Sequence, residues 1–174
     1  ADIKIEVSNE ALCMPPPSGV TENNHIGRPF TITQWISDGQ TIELGGRTLT
    51  VISIPGHTPD SIAIHDPAAK LLFTGDTFYA GPIWLYEPET DLDHYRHSLE
   101  KLISLDNVEW LLPAHNTPLV TASILPNVLR AFDDLVTGKL VKKSEWEGTV
   151  SYQPLNETRF SFLMRDEPLP YIKH

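Results

Sequence analysis

Apolar residues along this chain recur with two periods, and the switch between them predicts its elements. Ile3, Ile5 and Val7 alternate with Lys4 and Glu6, which reads as a strand. Met14-Pro15-Pro16-Pro17-Ser18-Gly19 admits neither sheet nor helix, because three prolines remove donors and fix φ, so a rigid connection is expected there. Residues 41–44 and 47–54 flank Gly45-Gly46, whose freedom at positive φ suits the tight turn of a hairpin. Residues 61–65 and 71–74 read as two further strands joined through Asp66-Pro67-Ala68-Ala69-Lys70, and residues 110–112 and 158–163 as two more.

The longer period appears twice. Thr90-Asp91-Leu92-Asp93 has the form of a capping box and opens a helix over 91–105, with Leu92, Tyr95, Leu99, Leu102 and Ile103 on one face. A second helix over 123–137 carries Pro126 in its first turn, an apolar stripe of Ile124, Val128, Leu129, Phe132, Leu135 and Val136, and Gly138 as a left-handed stop. Residues 77–86 are too broken by Gly and Pro for regular structure and read as a loop on the substrate side. Residues 139–147 are charged and read as an exposed connection. The expected architecture is α/β, a mixed or mainly antiparallel sheet flanked by two helices, in one domain spanning 1–174.

Three short segments at strand ends change this picture: Pro55-Gly56-His57-Thr58-Pro59-Asp60-Ser61, Thr74-Gly75-Asp76-Thr77 and Pro113-Ala114-His115-Asn116. Each places a metal-capable side chain just beyond an apolar run, where a sheet edge can gather them. Imidazole with carboxylate suits zinc, iron or manganese. The other histidines have plainer readings. His94 and His97 share a solvated helix face, His65 ends a strand at a turn, His25 sits in an Asn- and Gly-rich stretch, and His174 is terminal.

In these three segments the chain resembles the metallo-β-lactamase fold superfamily, over about residues 38–117. The resemblance implies an αββα sandwich in which His57 serves one metal ion, His115 a second, and Asp76 bridges them, with zinc expected and iron or manganese as alternatives. Asp76 separates the chain from the classical zinc β-lactamases, which place cysteine there. The family's His-x-His-x-Asp-His element is absent. The expectation is therefore a C-terminal portion of the full fold, N-terminally truncated, that binds metal weakly and is impaired as an isolated chain. The family's chemistry is hydrolysis: two ions about 3.5–4 Å apart acidify a bridging water and direct it at a polarised ester, thioester, lactone or lactam carbonyl. Tyr79 is the expected donor to the developing oxyanion, and Phe78, Trp84 and Tyr86 an apolar wall beside it. Glyoxalase-II-like relatives share the Gly-Asp-Thr element, but the basic residues they use for a glutathione carboxylate have no evident counterpart after Tyr79, which makes a glutathione thioester an unsafe expectation. Two alternatives stay open: an iron oxygenase of the persulfide dioxygenase type, and a non-catalytic remnant or binding module.

Composition narrows the partners. Thirteen Lys and Arg against 23 Asp and Glu give a net charge of -10, which repels phosphate backbones, so nucleic acid is not expected. No apolar run reaches membrane-spanning length, and a single cysteine, Cys13, allows no internal disulfide. The expected partners are a small-molecule substrate and, for association, a second copy of the chain or the missing N-terminal fragment; the cytoplasm is the favoured compartment.

Overall fold

A computed structural model describes residues 34–146 and 148–166. By its internal contacts the chain divides into units Ala1–Ile36 and Ser37–His174, and the architecture below is that of the second. The strand expected at Ile3–Val7, the proline connection, Cys13, His25 and His174 lie outside the described residues.

The hairpin forms as the pattern predicts. β1 (Thr41–Glu43) pairs antiparallel with β2 (Thr48–Ser53), Ile42 opposite Leu49, around Gly45 and Gly46 at φ 74° and 99°. β3 (Ile62–Asp66) and β4 (Leu71–Gly75) continue the antiparallel meander. The chain then leaves this sheet for β5 (Gly81–Trp84) and α1 (Leu92–Ile103), and returns as β6 (Trp110–Pro113) parallel to β4. β7 (Val120–Thr121) closes the edge, giving the order β1-β2-β3-β4-β6-β7. After a 3-10 turn at Ala122–Ile124 comes α2 (Leu125–Val136), and then β8 (Val141–Trp146), β9 (Thr149–Gln153) and β10 (Phe160–Arg165). These last three form a second sheet with β5, ordered β5-β10-β9-β8.

One hydrophobic core joins both sheets and both helices. Ile52, Ala63, Leu72 and Leu111 come from the first sheet, Ile83, Val150, Phe160 and Phe162 from the second, and Tyr95, Leu99, Val128 and Phe132 from the helices. An aromatic series spans it: Tyr95 against Phe132 at 5.1 Å, Phe132 against Phe162 at 5.9 Å, Phe162 against Phe160 at 5.7 Å and Phe160 against Phe78 at 6.3 Å. These separations fall in the favourable range for edge or offset packing. Arg96 Nε donates to Asp133 Oδ1 at 2.8 Å between the helices, and Lys101 Nζ reaches both Asp38 oxygens and the Ser53 carbonyl, fixing the last turn of α1 to the sheet.

Four expectations are corrected. The segment at 77–86 is not a loop throughout: β5 lies in it, parallel to β10, because an edge strand needs donors on one side only and so tolerates Pro82. Residues 139–147 contain β8, also an edge strand. Its Val141 to Glu145 are all exposed, so no apolar alternation marked it. The final strand runs Phe160–Arg165. Helix α1 is capped by Asp91, whose Oδ1 accepts from the His94 amide at 2.9 Å, while Thr90 turns its hydroxyl elsewhere.

Candidate metal centre

Strand direction brings the three side chains together. β2 and β4 are both antiparallel to β3, and β6 is parallel to β4, so β2, β4 and β6 all end at the same edge of the sheet. His57, Asp76 and His115 follow those ends in that order. His57 Nε2 lies 4.0 Å from Asp76 Oδ2, and His115 Nε2 lies 3.0 Å from Asp76 Oδ1. The carboxylate stands between the imidazoles, one oxygen toward each.

Each position is fixed by backbone contacts. Gly56 sits at φ +138°, and a Cβ there would fall 2.3 Å from both the amide nitrogen and the Cα of Tyr95, so the turn before His57 lies directly on α1. The helix holds it there: Asp91 N donates to Gly56 O at 2.8 Å, Thr90 Oγ1 to His57 O at 3.1 Å and Ser98 Oγ to Pro55 O at 2.7 Å. The imidazole of His57 has its Nδ1 2.8 Å from Trp84 O on β5. A carbonyl only accepts, so Nδ1 carries a proton, and Nε2, directed at Asp76, is the ring nitrogen left for a metal, the orientation a metal-ligating histidine takes from its supporting contact.

Asp76 occupies the turn where the chain passes from one sheet toward the other. Thr77 N donates to Thr74 O at 3.2 Å, Thr74 Oγ1 to Phe78 O at 2.8 Å, and the buried Tyr95 hydroxyl to Thr77 O at 2.6 Å. His115 is set by Ala114 N donating to Gly75 O at 3.2 Å, by Asn116 Nδ2 donating to Ala80 O at 2.7 Å, and by the Tyr79 ring edge-on at 5.2 Å.

Of the expected aromatic wall, Phe78 and Tyr79 belong to the core, whereas Trp84 and Tyr86 are half-buried with ring centroids 5.5 Å apart. The Tyr79 hydroxyl donates to Pro82 O at 2.6 Å and accepts from Trp84 N at 3.1 Å, and burial pushes its pKa well above the usual phenol value. Its proton is thus committed to β5. Nothing in the sequence marked Tyr95, Thr90, Ser98 or the Trp84 carbonyl as supports of the site. The nearest available signal was the placement of Tyr95 on the apolar face of α1.

The donors fit a cation. Asp76 Oδ1 is buried and receives no hydrogen bond, although His115 Nε2 is 3.0 Å away. Two electron-rich atoms at that separation repel unless a proton or cation lies between them, and buried acceptors are ordinarily satisfied. Among the described residues no three His, Cys, Asp or Glu groups close on one point; the imidazoles address opposite oxygens of one carboxylate instead. That suits a group shared on Asp76, with hard and borderline ions served by oxygen and imidazole.

The two-sheet α/β fold, with its His-Asp-His edge, defines the class. A family profile, the metallo-beta-lactamase superfamily, matches residues 2–115, more than half of the sequence, and the chain belongs to that superfamily. Acyl-coenzyme A thioesterase MBLAC2 of Gallus gallus is 33% identical over 112 residues, which are 63% of this chain and 40% of that protein. Hydroxyacylglutathione hydrolase of Hyphomonas neptunium is 47% identical over 49 residues, 28% of this chain and 19% of that protein. A solved archaeal superfamily member from Sulfolobus tokodaii superposes with a TM-score of 0.50 at 23% identity, over 64% of this chain and 42% of that one, a likeness of fold. The chain spans less than half the length of these curated relatives.

Proposed function

We propose that this chain carries part of the centre of a metal-dependent hydrolase acting on a thioester carbonyl. The observation that supports it most is Asp76, set between two imidazole nitrogens with a buried oxygen that receives no well-directed hydrogen bond. His57 Nε2, His115 Nε2 and the two oxygens of Asp76 would hold the metal, zinc first among zinc, iron and manganese. The chemistry supplied at such a centre is Lewis acidity toward water and a carbonyl oxygen.

The protein's own residues do the rest. Trp84 O keeps His57 in the tautomer with a free Nε2. Tyr79 acts through position, its ring against His115 and its hydroxyl on β5. Trp84 and Tyr86 offer a half-buried aromatic pair to an acyl chain and help exclude water. A thioester is favoured over the other carbonyl classes because the curated relatives named above act on thioesters by their names. The net charge of -10 points to recognition through the acyl side, since a phosphate-rich thiol would meet repulsion.

The test loads the purified chain with zinc, iron(II) or manganese. It measures metal retained after dialysis, and thiol released from an acyl-coenzyme A and from an S-acylglutathione. The expected result is partial retention, below two equivalents, that drops further in His57→Ala and His115→Ala, with slow thiol release that a chelator abolishes. Retention equal to that of a chain lacking all three side chains, or thiol release unchanged in Asp76→Asn, would overturn the proposal.

A further inference from the structure

Tyr95 touches both halves of the centre without facing it. Its backbone nitrogen and Cα fill the space a Cβ on Gly56 would need, so the turn carrying His57 rests on it. Its hydroxyl, fully buried, donates at 2.6 Å to the carbonyl of Thr77, next to Asp76. The Thr77 hydroxyl is itself buried without a partner among the described residues, so the Tyr95 bond ties that side of the turn to α1. The ring is clamped by Phe132 at 5.1 Å, so the hydroxyl has one place to go.

We propose that Tyr95 is a positioning residue that sets the distance between His57 and Asp76, its backbone under the Gly56 turn and its hydroxyl on the Thr77 turn, which arise from strands not adjacent in the sheet. The proposal rests on the metal reading of the site. Burial raises the phenol above its usual pKa, so near neutral pH the hydroxyl is a neutral donor. Removing the oxygen frees the Asp76 turn to drift, while the Gly56 contact, being backbone, remains.

The experiment compares Tyr95→Phe with Phe132→Leu, which loosens the same ring contact and leaves the hydroxyl bond in place. Cobalt(II) affinity is read by competition with a chromophoric chelator, and the amide shifts of Gly56, His57, Asp76 and Thr77 are read by NMR on the metal-free chain. Tyr95→Phe should weaken cobalt by about tenfold, the usual effect of losing a supporting contact behind a ligand. It should also move the Asp76 and Thr77 amides more than those of Gly56 and His57. Phe132→Leu, with a comparable loss of melting temperature, should leave cobalt affinity within about twofold. Equal effects of the two variants, or unchanged amide shifts in Tyr95→Phe, would overturn the positioning role. Failure of the unmodified chain to bind cobalt would instead sink the metal reading, and the amide shifts would still decide the role of Tyr95.

Discussion

Replacing Gly56 by alanine separates two costs that glycine usually hides together. The residue lies at φ +138°, and an added Cβ would sit 2.3 Å from Tyr95 N and Cα and 2.6 Å from Tyr95 Cβ. The first two are helix backbone and cannot rotate away. Gly138, just past α2, is the control: its φ is +71°, and a Cβ there meets nothing within 4 Å. Gly138→Ala therefore carries only the conformational term, about 1 kcal/mol. Gly56→Ala has a conformational term at least as large, because φ +138° lies outside the left-handed helical well, and adds the displacement of one packed element from another, about 1–3 kcal/mol in well-packed interiors, for a total of at least roughly 2–4 kcal/mol. At about 2–4 °C per kcal/mol for a chain of this size, the melting temperature should fall by roughly 5–15 °C, against about 3 °C for the control. Relief of the clash lengthens the bonds from Asp91 N to Gly56 O and from Thr90 Oγ1 to His57 O, so metal retention should fall as well. Calorimetry on both metal-free variants in one buffer decides it. If Gly56→Ala melts no lower than Gly138→Ala, the close approach to α1 is not what the glycine serves.

Two further outcomes are expected. Thr90→Val, which keeps the shape and removes the donor to His57 O, should loosen cobalt by about tenfold, and Thr90→Ser should restore it; equal affinities in the two variants would show that the hydroxyl bond is idle. Asp66, buried at the end of β3, is held below the usual carboxylate range by the Arg47 guanidinium beside it, with the Ala69 amide helping at 3.1 Å. A lowered folded value means stability that is fully present above the ordinary carboxylate pKa near 4 and lost as pH falls through the folded one. In urea midpoints measured from about pH 6 down to about pH 2, Asp66→Asn should therefore be weaker at neutrality and should show a flatter acid limb. An unchanged acid limb would remove the linkage.

What the sequence disclosed and what it withheld divide along a physical line. The hairpin, both helices and the positions of His57, Asp76 and His115 were legible because each rests on residues near one another in the chain. Gly45-Gly46 set a turn, a 3.6-residue stripe set each helix, and Pro or Gly stood at or just past the ends of β2, β4 and β6. The convergence of the three side chains then followed from strand direction alone. β5 and β8 were missed because edge strands need neither alternation nor a full set of donors, and Thr90 was given the cap that Asp91 holds because both can accept there. The supports of the site were not legible for a deeper reason: most of their acceptors are backbone carbonyls, of Trp84, Thr77, Pro55 and His57 itself. Every residue carries such a group, so none marks the sequence, and the carbonyl becomes specific only when distant pairing aims it. Trp84 O reaches His57 because β5 is held parallel to β10, with Trp84 opposite Leu163 and Leu85 N bonded to Leu163 O at 2.8 Å. The tautomer of His57 therefore depends on a strand near the far end of the chain, and changes that unpair β10 should disturb the centre while touching none of its donors.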